Sequence, residues 1–460
     1  MHNFARILLD RNQSHRGRTA FQDLNESIDY ESLERKSQQF AGWLLRDGLK
    51  AGDRVVIMVP DCVGTVIAFL GTLLAGGVAV MTSSQGRPET IDFKIKHVEP
   101  YLVLTQDNIN EILTQSRQYP PDTTVVGGGK DVAFMLWTSG TTGHPKAVMH
   151  SHESGLSHCI TVTELSLQST QAERVYSTAK LSWTYGLING LFGVMWLGAT
   201  AFLDSGLSIP ARVKTNIETF LPTMVFTVPV IFSQIVNKLE IKHQIKWVSS
   251  GDRLPDALIT RWQEVINQPI YNYFGTTECL TISIGFDSTS VGKPIPLVHT
   301  RIVDDDGNIV TPGQVGKLQV RSPSIGLGYY KDEKWSKQYF TDWVTTGDSC
   351  YLGADGNMYH MGRMGDIIKI AGHFVNPKVL EETLESHPDV EQAAVVKQTN
   401  EHGIEKIVAY VVGTANSINL INYMRQHHDR AQCPRKIFVV GELPRTETGK
   451  IQRYKLRDQK

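Results

Sequence analysis

The chain has 460 residues, of which 41% are apolar and 20% charged, with 46 Lys and Arg against 47 Asp and Glu. That is about three times the ~150 residues of a typical domain, so at least two domains are expected. The composition is too apolar for intrinsic disorder, and a net charge of −1 argues against a broad nucleic-acid surface or a polybasic membrane patch.

The N-terminal stretch from Met1 to Gly17 is too polar for a secretory signal. Five scattered cysteines (Cys62, Cys159, Cys279, Cys350 and Cys433) form no CxxC pair, which argues against a disulfide framework or zinc site and for a reducing, cytoplasmic setting. Arg54 to Val59 reads as a continuous apolar strand. Val63 to Met81 could be mistaken for a membrane span, but Gly76-Gly77 splits it into a helix-length piece and a strand, Val78 to Met81; a span needs ~20 apolar residues without such a break. Val132 to Trp137 is another apolar strand. Leu187 to Leu197 is apolar at helix length, Gly198 breaks it, and Ala199 to Leu203 reads as a strand. Met224 to Val228 and Trp247 to Ser250 complete the series. Apolar strands alternating with helices predict parallel strands buried on both faces, so the fold class is α/β over roughly the first 280 residues. Loops at the strand ends are then available for ligands.

The pattern changes near residue 290. Arg301 to Val303, a turn at Asp304 to Gly307, and Gly316 to Arg321 alternate like antiparallel strands, and Ala354 to Asn357 marks a second turn. These predict a β-rich subdomain. Towards the C-terminus, Lys378 to Ser386 and Ile418 to Gln426 read as helices, and Gln392 to Lys397 and Lys406 to Val412 as paired strands, a small α+β unit. The boundary is placed at Gly362 to Asp366, giving domains 1–364 and 365–460.

Five segments carry chemistry. Thr138-Ser139-Gly140-Thr141-Thr142-Gly143-His144-Pro145-Lys146 follows a strand. Its hydroxyls and freed backbone N–H groups suit a phosphate chain, with Lys146 adding charge; a flexible polar turn is the alternative. It lacks the GxxxxGK[ST] spacing of a P-loop NTPase. In Asn272-Tyr273-Phe274-Gly275-Thr276-Thr277-Glu278 the aromatic can stack on a base and the carboxylate can hold a metal bridging phosphates, or the segment is simply a strand end. Thr346-Gly347-Asp348 places a carboxylate in a tight turn, where it could accept two ribose hydroxyls. Gly362 to Lys369 and the basic tail Pro444 to Arg453 complete the set.

In this order the five motifs resemble the adenylate-forming superfamily of acyl- and aryl-CoA ligases, peptide-synthetase adenylation domains and firefly luciferase. The resemblance runs from Phe21 to Arg457. It implies ATP- and Mg²⁺-dependent activation of a carboxylic acid to an acyl-adenylate, then transfer to a thiol. It also implies a large N-terminal domain and a small, mobile C-terminal domain. By position, Thr138, Ser139, Gly140, Thr141, Thr142, Gly143 and Lys146 match the phosphate loop, and Gly251 and Asp252 the segment along adenine. Phe274, with Gly275 and Thr276, matches the adenine-stacking element, Thr277 the phosphate contact, and Glu278 the metal ligand. Asp348 matches the ribose carboxylate, Arg363 the contact at the domain junction, and Lys450 the catalytic lysine. Thr138, Glu278 and Lys450 are the implied catalytic set. Gly372 lies where the family's small domain approaches the pantetheine arm. Two positions depart from the pattern: Gly365 stands where the family's hinge usually has Asp or Lys, and Ala147 where a glycine is common.

The segment from Lys180 to Gly190 looks most like the benzoate-CoA ligase branch. Trp183, Thr184, Tyr185, Gly186, Ser250 and Thr281 are the expected acyl pocket. Peptide-synthetase domains keep an Asp at the place of Thr184, which cannot pair with an ammonium, so α-amino acids are disfavoured. Trp183 and Tyr185 favour a flat ring, or are simply core. No carrier domain is visible, so the thiol comes in trans, from CoA or from the phosphopantetheine of a separate carrier protein. The expected partners are a small carboxylic acid and that thiol, with no nucleic acid and no membrane, and a homodimer is left open. A catalytically dead relative is disfavoured by the joint presence of Lys146, Glu278, Asp348, Arg363 and Lys450.

Overall fold

The computed structural model describes residues 3–138, 145–286, 289–364, 368–370, 373–399, 405–430, 432–445 and 451–457. By packing, the chain forms two units, Met1–Arg301 with Gln319–Thr346, and Ile302–Leu318 with Gly347–Lys460. The proposed pivot at 364/365 lies inside the second.

In the first unit, Val63 to Met81 divides as its glycines dictate, into the helix Val63–Leu74 and the strand Val78–Met81. Every residue of that helix is buried, as expected of a helix that is apolar all round. Among the described residues no helix is long and apolar enough to cross a membrane. The strands Arg54–Met58, Val78–Met81, Leu102–Thr105 and Val132–Thr138 pair in parallel within a six-stranded sheet. Met224–Thr227, Lys246–Ser249, Ile270–Thr276, Arg174–Ser177 and Thr200–Phe202 pair in parallel within a nine-stranded sheet. Phe4, Phe69, Phe134 and Phe192 interlock in one core, with ring centroids 4.8–6.2 Å apart. Trp247, Trp262 and Phe232 pack edge to face in another.

Two features depart from the sequence reading. The helix expected over Leu187 to Leu197 is α-helical only at its ends. Ile188–Gly193 between them has the wider π-turn often found near functional sites. The sheets are also not parallel throughout. Val132–Thr138 turns back antiparallel onto Lys146–Ser151, and Ile270–Thr276 onto Leu280–Phe286. Thr138 and Lys146, which flank one expected nucleotide motif, therefore face each other across a strand pair, and Thr277 and Glu278 of the other sit at a hairpin tip.

The strand Val344–Leu352, which belongs to the second unit from Gly347 onward, and Met358–Arg363 form a hairpin around Ala354-Asp355-Gly356-Asn357. Thr346-Gly347-Asp348 lies within its first strand rather than in a tight turn. The C-terminal α+β expectation holds. Helices Pro377–Glu385 and Ser417–His427 pack with the antiparallel strands Val390–Thr399 and Glu405–Gly413 and with the parallel strand Lys436–Val439. Asn376 caps the first of these helices through the Lys378 amide, with Pro377 at the first helical position.

Candidate active site

Each half of the expected site is described within its own unit. Ser139 to His144, Gly365 to Ile367, Ala371, Gly372 and Thr446 to Lys450 lie outside the described residues.

In the first unit, Thr138 ends its strand directly opposite Lys146. The Lys146 ammonium is 3.6 Å from Asp332, 3.7 Å from the ring centroid of Trp335 and 5.0 Å from that of Tyr329. Burial lowers its pKa, and Asp332 and Glu278 oppose that shift. The lysine lies in an aromatic seat, with two carboxylates that favour its charged form. Ala147 is buried in an ordinary strand opposite Trp137, a position that needs no glycine.

The second hairpin is built around Gly275. A Cβ there would lie 2.1 Å from the Leu280 carbonyl oxygen, so only glycine allows the strands to close. Phe274 is half-buried and pairs with Ser283, and Thr281, fully packed, pairs with Gly275. The Thr276 hydroxyl accepts the Cys279 amide and shapes the tip. Thr277 and Glu278 are presented there. Glu278 Oε1 accepts the Tyr329 hydroxyl at 2.8 Å, its backbone oxygen accepts the Gly326 amide at 2.8 Å, and the carboxylate raises the Tyr329 pKa together with burial. Thr277 receives two bonds. His150 Nε2 donates to its carbonyl at 2.8 Å, and Thr184 Oγ1 donates to its hydroxyl at 3.1 Å.

That last bond joins the expected acyl segment to the expected phosphate contact. Thr184 opens a short helix, and Gly186 within it is obligatory, because a Cβ would meet the Lys180 carbonyl oxygen at 2.1 Å. The Tyr185 hydroxyl donates to the Val248 carbonyl at 2.9 Å, and burial raises its pKa well above the usual range. Tyr185 is therefore fixed against the sheet, whereas Trp183 is 37% exposed and is not a buried wall. Ser250 is buried just past the end of the strand Lys246–Ser249, and Gly251 and Asp252 follow on the surface.

In the second unit, Asp348 is buried, and the hairpin register sets it opposite Arg363. Its two carboxylate oxygens accept His360 Nε2 at 2.9 Å and Arg363 Nη1 at 3.2 Å. Sequence reasoning missed His360, Tyr329, Asp332, Trp335 and His150. Of these only His360 lies close to a turn signal, Ala354 to Asn357, and it belongs to no motif.

Residues 8–330 match the family model of the AMP-binding enzymes, and residues 379–450 match the C-terminal domain that accompanies them. The chain belongs to the AMP-binding enzyme family. It is 29% identical to a 3-hydroxybenzoate–CoA/4-hydroxybenzoate–CoA ligase of Thauera aromatica, covering 96% of this chain and 93% of that one. Among solved structures it resembles a benzoate CoA ligase from Burkholderia xenovorans LB400, at a TM-score of 0.89 and 26% identity with both chains fully covered. It also resembles the anthranilate CoA ligase AuaEII in complex with anthranoyl-AMP, at 0.89 and 25% identity, over 99% of this chain and 96% of that one. As a member of this family the chain is an AMP-forming acid–thiol ligase.

Proposed function

We propose that this ligase activates an aromatic, benzoate-like acid with ATP and passes the aryl group to coenzyme A. The observation that carries the reading is the 3.1 Å bond between Thr184 and Thr277. It supports a reading in which the expected acyl segment lies beside the expected phosphate contact, where a carboxylate would meet the α-phosphorus. There a carboxylate oxygen attacks that phosphorus in line and pyrophosphate leaves. The CoA sulfur, having lost its proton, then attacks the acyl carbon and AMP leaves. Charge builds on phosphate oxygens in the first step, so positioning and fixed positive charge supply most of the rate. Lys146 brings a cation to the phosphate loop, Asp348 offers a carboxylate to the ribose, and Lys450, by the resemblance, completes the adenylating arrangement.

Mg²⁺ fits Glu278: it is a hard carboxylate with Oε1 fixed by Tyr329, and the ion commonly takes one or two carboxylates and fills its shell from phosphates and water. Bound there, the ion would offset the charge of the triphosphate. Thr184 gives an α-ammonium no carboxylate partner, which disfavours amino acids. The relatives named for aromatic acids support the ring preference, and those same names support CoA as the acceptor.

The test is ATP–pyrophosphate exchange across benzoate, the hydroxybenzoates, 2-aminobenzoate, palmitate and phenylalanine, followed by detection of the CoA thioester. Aromatic acids should drive exchange best. Preference for palmitate or phenylalanine would overturn the aryl reading and leave the adenylation chemistry standing.

A further inference from the structure

We propose that His150 is a positioning residue for the nucleotide half of the reaction, holding the Thr277-Glu278 turn in the place from which it meets the triphosphate. His150 belongs to no motif. It lies four residues beyond Lys146 on the strand Lys146–Ser151, so the two side chains share a face of that strand. Lys146 stands at the phosphate-loop end, and His150 lies beneath the tip of the other hairpin. The ring is fully buried and stacks on Phe134, its cross-strand partner, at 5.0 Å between centroids and 9° between planes.

The group facing Nε2 is the Thr277 carbonyl oxygen at 2.8 Å, so Nε2 carries the proton and the ring donates. Nδ1 is 3.4 Å from the Ser154 hydroxyl. That serine belongs to a helix whose N-cap, Ser151, bonds the Ser154 amide. The stack and the helix thus fix the ring before it reaches Thr277. The other two buried histidines of this region do not touch the turn. His152 Nδ1 accepts the Phe4 amide, and neither ring nitrogen of His158 has a partner among the described residues. Thr277 is otherwise held by Thr184, and Glu278 by Gly326 and Tyr329 of one segment. His150 is the contact that ties the turn to the strand bearing the phosphate-loop lysine.

This inference rests on reading Thr277 and Glu278 as nucleotide-side groups. The experiment compares His150→Phe, which keeps the ring and its stack but loses the donor, with His150→Gln, whose amide nitrogen reaches the place of Nε2. His150→Asn is the third variant, with a donor too short to reach. Binding of Mg·ATP is measured by calorimetry, and KM values for ATP and for benzoate by pyrophosphate exchange. Leaving the buried carbonyl unpaired should weaken Mg·ATP about ten- to a hundredfold in the Phe variant. KM for the acid should stay unchanged, and the Gln variant should recover near wild-type binding. If the Phe variant does not fold, as judged by thermal melting, the Asn variant takes its place with the same expectation. Equal Mg·ATP binding in wild type and the donor-less variant overturns the role of His150 alone. So does a loss that Gln does not recover, or one shared equally by ATP and acid, since that would be packing. A wild-type protein that binds no Mg·ATP overturns the functional reading and the inference together.

Discussion

Glu278 and Lys146 meet through one tyrosine. The Tyr329 hydroxyl donates to the carboxylate while its ring flanks the ammonium, 5.0 Å from Nζ. The position of the expected metal ligand is therefore set by a residue 51 positions away. Tyr329→Phe removes one hydrogen bond to a charged group, a change of roughly 1.5–3 kcal/mol in such pairs. We expect weaker Mg²⁺-dependent exchange that is largely restored by raising Mg²⁺, because the carboxylate is still present. Glu278→Gln removes the charged oxygen itself and should stay impaired at every Mg²⁺ concentration, since hard cations need charged oxygens. A Mg²⁺ titration of pyrophosphate exchange checks both. An unaffected Glu278→Gln enzyme would remove the metal-ligand role.

At the scale of elements, the C-terminal tail is pinned by a buried ion pair. Arg453 Nη2 lies 2.6 Å from one Glu381 oxygen and 2.8 Å from the other, and the glutamate side chain is 3% exposed. Glu381 also accepts the Val395 amide, so it joins helix Pro377–Glu385, strand Val390–Thr399 and tail. Removing one partner of such a pair leaves an uncompensated buried charge and costs about 3–5 kcal/mol, whereas replacing both by apolar groups is often neutral. Arg453→Met should therefore lower the melting temperature and open the tail to protease, and adding Glu381→Met should recover part of both, the remainder reflecting the Val395 amide left without its acceptor. Wild-type melting of the single variant would show that the pair contributes nothing. Arg453 was legible as part of a basic tail motif, but its partner was not. Nothing in the spacing of 72 residues marks Glu381, whose helix sequence is ordinary.

The whole molecule carries a pH signature from its buried histidines. Burial pushes His150 and His152 down to about 4 and His158 to about 3. An unfolded histidine titrates near ~6.5, so each of these groups binds protons more readily when the chain unfolds. Their contribution to stability is present above pH ~6.5 and is lost as pH falls through the folded values. His158 is the cleanest probe, because both ring nitrogens lack a partner among the described residues and its nearest charged influence is His150. We expect His158→Leu to keep the fold at pH 8 and to lose less stability than wild type between pH 8 and 5, measured by urea unfolding. Identical pH dependence would contradict this. Asp61 acts in the opposite sense. Burial raises it to about 7 against the opposing charge of Lys180, so its contribution is complete below the unfolded carboxylate range and fades as pH rises towards neutrality. Its oxygens accept the Leu181 amide at the start of the expected acyl segment.

The amino-acid sequence determined the local grammar and the chemistry. The glycine pair that ends Val63–Leu74, the apolar runs that become strands, and the five ordered motifs are all readable along the chain, because periodicity and linear motifs are properties of neighbours. Strand direction was not readable for the motif-bearing pairs. An apolar strand looks the same in a parallel sheet and in a hairpin, so the antiparallel turns at Thr138/Lys146 and Thr276/Leu280 emerged only in three dimensions. The groups that aim the chemistry were equally hidden. His150 reaches Thr277 across 127 residues and Thr184 reaches it across 93, and such meetings depend on which strands lie beside which. The motifs name the expected reacting groups, whereas sheet order and hairpin register decide which side chains hold them in place.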